Sequence, residues 1–185
     1  GVTVERKSGG LALPDGRPVE LVDLPGTYSL DPVSPDEAVT RDVVMGKQGG
    51  ERLPAALVIV VDASNLDNHL RFALQLIALG LPVVLALNMY DMAERDGLKI
   101  DAEALARELG VPVVATVAVR KRGIEELKAV LGTLVGDGAT TIRSSQHVPT
   151  DIAALQRRAR AISLAATIEE HGARRWMHRV DSIAL

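Results

Sequence analysis

The chain of 185 residues contains no cysteine, which excludes disulfides and thiolate metal sites. Aromatic residues make up only 2% of it against 47% hydrophobic residues overall, so the core it can form is aliphatic. Long apolar runs are missing as well. The longest, Ala55–Val61 and Leu81–Leu87, fall far below the ~20 residues a membrane helix needs, and a soluble chain is expected. Charge of one sign is not in excess: the net is −3, and bulk electrostatics give no reason to expect a nucleic-acid partner. The opening Gly1–Lys7 stretch lacks the apolar block of a secretory leader. His69, His147, His171 and His178 are too scattered to build a metal site, and no carboxylate pair is spaced as a metal cage. Nowhere does GxxxxGK followed by Ser or Thr occur, so the loop whose amides cradle phosphates is absent from the sequence.

What is present begins with Leu21-Val22-Asp23-Leu24-Pro25-Gly26. An apolar run ending in Asp, then a Pro-Gly turn, sets a carboxylate and an unhindered amide at a strand's C-terminal end, where open α/β sheets hold ligands. In a nucleotide-hydrolysing protein that Asp can hold Mg²⁺ through water and the Gly amide can donate to a terminal phosphate. Downstream, Asn88-Met89-Tyr90-Asp91 follows a second apolar strand. It offers an amide and a carboxylate in one loop, the pairing a guanine edge needs for its ring N–H and exocyclic amine. Either tetrapeptide alone has a bland reading, as a strand turn or a helix cap. In this order they read as the DxxG and NxxD elements of a GTPase.

Along the chain, Val2–Lys7 alternates apolar and polar residues, Leu11–Leu13 resumes after Gly9-Gly10, and Pro14-Asp15-Gly16-Arg17 is a turn before the Pro18–Leu24 strand. A helix is expected from about Asp36 to Met45, stopped by Gly46. Ala55–Asp62 and Pro82–Asn88 are strands of the kind buried on both faces, and Asn65–Leu79 between them has helical periodicity. Asp101 caps a helix reaching Leu109-Gly110, Val111–Val117 is a strand, and Gly123–Leu134 is an amphipathic helix. Alternating strands and helices mean a parallel sheet covered on both faces. Residues 1–136 form this α/β domain, 137–148 a small, polar linker, and 149–185 a helical domain whose helix runs from Pro149 until Gly172 breaks it. The Arg157–Arg160 run is a solvated helix face.

The segments GVTVE, DLPGTYSL, SPDEAVTRDVV, VVDASNL, ALNMYDMA and LGVPVV with RKRGIEELK closely resemble the cytosolic G domain of FeoB-type ferrous iron transport proteins, over roughly Gly1 to Leu134. The resemblance implies an α/β, P-loop-type GTPase fold, a Ras-like, mostly parallel sheet with helices on both faces, plus a C-terminal helical domain. It implies GTP and GDP as ligands with Mg²⁺, and the transmembrane part of the same transporter as partner, at the cytoplasmic face of the bacterial inner membrane. By it, Gly1, Val2, Thr3, Val4 and Glu5 form switch I, with Thr3 on Mg²⁺ and the γ-phosphate. Asp23, Leu24, Pro25 and Gly26 are binding residues of switch II (Asp23–Leu30), with Asp23 on Mg²⁺ and Gly26 on phosphate. Thr3, Asp23 and Gly26 are then the catalytic group. Asn88, Met89, Tyr90 and Asp91 form the guanine-reading loop. Val117, Ala118 and Val119 supply a backbone contact to the base, Ala118 standing where the family's usual Ser would be. Thr27 follows DLPG in place of a water-positioning Gln, which implies slow hydrolysis assisted by a backbone group or an ion, K⁺ being the candidate.

In that fold the strand before the phosphate loop lies between the DLPG strand and the VVDA strand. Its absence leaves two rows of backbone groups unpaired, each costing about 1–3 kcal/mol. We therefore expect either an upstream segment of roughly forty residues in the parent protein or a strand swapped in from another copy. A sheet that closed with these residues alone would refute this. The competing readings are a soluble GTPase of another branch and a truncated G domain acting as a non-hydrolysing interaction or oligomerisation module.

Overall fold

The computed structural model describes residues 7–26, 35–46, 53–88, 98–136 and 151–169. Its first element is an antiparallel hairpin, β1 (Lys7–Ala12) and β2 (Pro18–Asp23), in register from Lys7 opposite Asp23 to Ala12 opposite Pro18. The sequence suggests a strand ending near Lys7 and resuming at Leu11. Instead β1 runs unbroken through Gly9 and Gly10, because every residue of it has a cross-strand partner on β2. At the tip, Leu13 N–H donates to Arg17 O and Gly16 N–H to Leu13 O, both at 2.9 Å.

Helix α1 (Pro35–Met45) follows, and then strand β3 (Leu57–Asp62). A single 3₁₀ turn, Ala63–Asn65, leads into helix α2 (Leu66–Ile77), and strand β4 (Val83–Asn88) comes next. The chain continues through β5 (Leu98–Ile100), α3 (Ala102–Leu109) and β6 (Val113–Thr116). Helix α3 starts where Asp101 accepts from the Glu103 and Ala104 amides, and it ends at Gly110 with φ +70°. Both ends thus carry local capping chemistry. Helix α4 (Ile124–Gly136), α5 (Ile152–Ala166) and β7 (Thr167–Glu169) complete the described chain.

Strands β3, β4 and β6 form one parallel sheet in that order. In a parallel ladder, residues in register share a face. Leu57, Ile59 and Val61 therefore lie with Val83, Leu85 and Leu87, and all six are buried in the main core with Leu70, Leu74 and Leu105. On the opposite face Val84, Ala86 and Val114 are buried, where α4 packs against β4 and β6. That cover stops short of β3: Val60 is 65% exposed. Cover on both faces is thus met at β4, while Val60 of β3 stays exposed.

The sheet does not close. Among the described strands β3 pairs only with β4, and β2 only with β1. Leu57 N–H donates to Pro82 O, so Leu57, Ile59 and Val61 direct their backbone groups to β4, and Val58, Val60 and Asp62 direct theirs to the open edge.

The C-terminal helix departs from its sequence pattern. It ends at Ala166 rather than running to Gly172, because Thr167 turns extended (φ −90°, ψ 120°) and its hydroxyl donates to Ser163 O at 2.7 Å. The β-branched Thr167 and Ile168 then pair antiparallel with Ile100 and Lys99, a sheet the sequence reading does not contain. Leu155, Ala159, Ile162 and Ala166 of α5 are buried in the main core against α2 and α3. The linker residues 137–148 and the end of the chain from 170 lie outside the described residues.

Candidate functional site

Two groups of expected site residues lie at strand ends. Asp23 closes β2 and is exposed, with Leu24, Pro25 and Gly26 continuing from it. Pro25 is anchored: the hydroxyl of Thr40, in the middle of α1 and 5% exposed, donates to Pro25 O at 2.9 Å. No local pattern in the sequence marks Thr40, since its bond spans 15 residues and two elements.

The second group sits at the C-terminal edge of the parallel sheet. Asn88 is the last residue of β4, in register with Asp62 on one side and Thr116 on the other. Thr116 is buried, its hydroxyl 3.4 Å from Leu87 O. Asp62 caps the following turn by accepting from the Ser64 amide and hydroxyl at 2.9 and 2.7 Å. Its own N–H, directed to the open edge, donates to His69 Nδ1 at 2.8 Å. Accepting at Nδ1 places the neutral ring's proton on Nε2. His69, one of the four scattered histidines, thus holds the end of β3.

After β6 the chain forms a tight loop. Val117 N–H donates to Arg122 O at 3.1 Å and Arg122 N–H to Val117 O at 3.3 Å, enclosing the turn Ala118–Arg120. The first amides of such a turn have no acceptor inside it, and Val117 provides no side-chain cap. Ala118, expected from the resemblance to contact the base through its backbone, opens this turn. Gly123 makes the loop possible. Its φ is +80°, and a Cβ there would collide with the Ala115 carbonyl oxygen. The local pattern does not single out His69, although a glycine directly after Arg120-Lys121-Arg122 is a signal in retrospect.

At the far end of the hairpin, Arg17 donates through Nε to Asp15 at 2.6 Å and through a terminal nitrogen to Gly132 O of α4 at 2.9 Å. The Arg17 backbone amide, with the guanidinium beside it, holds the Asp15 carboxyl below its ordinary 3.8.

Gly1, Val2, Thr3, Val4 and Glu5, and likewise Met89, Tyr90 and Asp91, lie outside the described residues. No cluster of metal-ligating side chains occurs among the described residues, and no described helix is long and apolar enough to cross a membrane.

The family model for ferrous iron transport protein B, FeoB_N, matches residues 1–131. The Fe(2+) transporter FeoB of Salmonella typhimurium is 47% identical over 135 residues, which is 71% of this chain and 17% of the relative. The chain thus spans only a small part of that protein's length. Among solved structures, the cytosolic domain of L. pneumophila FeoB aligns with a TM-score of 0.72 at 30% identity, covering 91% of this chain and 86% of that one. The cytosolic domain of the T. maritima FeoB iron transporter in its GMPPNP form aligns at 0.64 and 37% identity, over 72% and 51% of the two chains. By the family match and the likeness to these relatives, the chain belongs to the FeoB N-terminal family, with the P-loop GTPase fold of its G domain.

Proposed function

We propose that this chain is the switch-bearing and guanine-reading part of a GTP-hydrolysing G domain that regulates Fe²⁺ uptake by the transporter to which it is attached. The observation that carries this is the C-terminal edge of the parallel sheet, where Asn88 stands between Asp62 and Thr116 beside the Val117–Arg122 loop. Asn88 and Asp91 read guanine, and the Ala118 amide donates to the base. Gly26 donates to the terminal phosphate. The exposed Asp23 carboxylate is the hard oxygen donor that suits Mg²⁺, and Thr3 is the second. When bound with nucleotide, that ion neutralises charge on the phosphates. K⁺ is the candidate activating ion. Nucleotide orders the segments around Thr3 and Asp23–Leu30, and hydrolysis releases them. Residues 149–185 carry that change toward the membrane part.

The open edge of β3, with Val60 exposed, supports a further part of this reading. A strand bearing the phosphate loop fills that edge, contributed by an upstream segment of the same protein or by a second copy. The non-hydrolysing alternative differs only in that no such strand arrives.

Titration of the chain with a fluorescent GTP analogue and Mg²⁺, with ATP in excess as competitor, tests the reading. Saturable binding that GTP displaces, that ATP does not, and that Asp91→Ala abolishes is the expected result for a site completed in trans. Absence of binding by the 185 residues, with binding restored when the upstream coding sequence is included, assigns the phosphate loop to that segment. Absence in both sinks the GTPase reading.

A further inference from the structure

Gly26 is useful to a nucleotide only if its N–H points at the phosphate, and one bond in the structure controls that direction. A trans peptide is a rigid plane in which the carbonyl of one residue and the N–H of the next point in opposite directions. No cis peptide occurs among the described residues. The Pro25 carbonyl and the Gly26 N–H therefore turn together, and whatever holds the first aims the second. The Thr40 hydroxyl holds it, at 2.9 Å.

This is an unusual use of a helical threonine. A hydroxyl in mid-helix ordinarily bonds back to the carbonyl one turn earlier, and a β-branched residue there lowers helix propensity. Thr40 lies in the interior of α1 and is 5% exposed. Its hydroxyl nevertheless reaches across to another element. A buried hydroxyl is costly unless paired, so the Pro25 carbonyl is also what makes Thr40 acceptable at that position. Gly26 itself has open space around it, with nothing within 4 Å of where a Cβ would stand. No side-chain packing of its own is therefore available to Gly26 to fix the plane.

We propose that Thr40 is a positioning residue for terminal-phosphate sensing: by holding the Pro25 carbonyl from α1, it pre-aims the Gly26 N–H. The inference rests on the GTPase reading, because the amide is offered to the γ-phosphate of GTP. GDP lacks the group, so Thr40 bears on the preference for GTP over GDP and not on guanine affinity in general.

The test compares Thr40→Val, which keeps the shape and removes the hydroxyl, with Thr40→Ser, which keeps the hydroxyl. In the full-length protein, affinities for a non-hydrolysable GTP analogue and for GDP are measured together. One neutral hydrogen bond is worth about 0.5–1.5 kcal/mol, so Thr40→Val is expected to lower the GTP-to-GDP affinity ratio roughly threefold to tenfold while GDP affinity stays put. Thr40→Ser is expected to hold the ratio within about twofold. A ratio unchanged in Thr40→Val, an equal loss for both nucleotides, or a Thr40→Ser variant as impaired as Thr40→Val would overturn the proposal. A second arm needs no nucleotide: the Gly26 amide resonance of the 185-residue chain should move in Thr40→Val and stay in Thr40→Ser. Failure of the wild-type protein to bind guanine nucleotide would defeat the functional reading, whereas an unmoved Gly26 resonance in Thr40→Val would defeat this inference.

Discussion

The two halves of the molecule are built to different standards of self-sufficiency. Strand β4 is flanked on both edges and covered on both faces, and Val84, Leu85 and Leu87 are at 0% exposure. Among the described strands the β1–β2 hairpin pairs only with itself, and its Leu21 and Val22 remain 53% and 38% exposed. The end of the sheet that carries Asn88 is thus set by a strand enclosed on every side. The DLPG segment is instead held at points: Thr40 at its loop end and Arg17 on α4 at its tip. A base-reading surface gains from rigidity, whereas a switch needs a low-stability attachment.

The sharpest way to break the contrast is truncation on each side of it. Leu85→Ala should cost about 2–5 kcal/mol of stability because it empties a fully enclosed site. Leu21→Ala should cost well under 1 kcal/mol, since its surface is already largely in water. Denaturant melts of the two variants decide this, and equal losses would mean the hairpin is enclosed in solution.

Gly123→Ala comes next. The left-handed backbone alone penalises a side chain by about 1–3 kcal/mol, and the Cβ would also strike the Ala115 carbonyl. The Val117–Arg122 loop should shift and guanine affinity fall with it, measurable by fluorescent-GDP titration. An unaltered affinity would show that the loop does not touch the base.

His69→Leu removes the acceptor for the Asp62 amide at about 1 kcal/mol. Hydrogen exchange at Asp62 should quicken there and stay slow in His69→Asn, whose side-chain oxygen can replace Nδ1. The amides of Val58 and Val60, which face the open edge, should exchange fast in all three proteins until a strand fills it.

The smallest effect is electrostatic. The Asp15 carboxyl is held below its ordinary value in the folded hairpin, so its contribution is present above pH 3.8 and fades as pH falls below that through the lower folded value. Because the Asp15–Arg17 pair is exposed and local to the turn, its loss should loosen only the hairpin tip. Exchange at the Leu13 and Gly16 amides, followed across that range with Asp15→Asn as the control, reads it directly.

How much of this was legible depended on how locally each feature is encoded. Asp101 and Gly110 mark the ends of α3 because capping is chemistry between close neighbours. Asp23 and Asn88 were legible because apolar runs stop at them, and the structure puts both at strand ends. The short strands β5 and β7 were not, since three residues carry no periodicity and their partners are some seventy positions apart. Thr40 and His69 were missed for the same reason: each bonds a backbone group of another element, and nothing near them in sequence announces it. Val60 misled in the other direction. An all-apolar strand reads as buried on both faces, yet its second face has no cover here.

The Asp101 amide, besides opening α3, donates to Ala166 O at 2.8 Å, and with the β5–β7 pairing this fastens residues 98–110 to residues 152–169. The two segments therefore form one cooperative unit, opening together or not at all. The remote C-terminal helix is thereby tied to the strand that starts ten residues after Asn88.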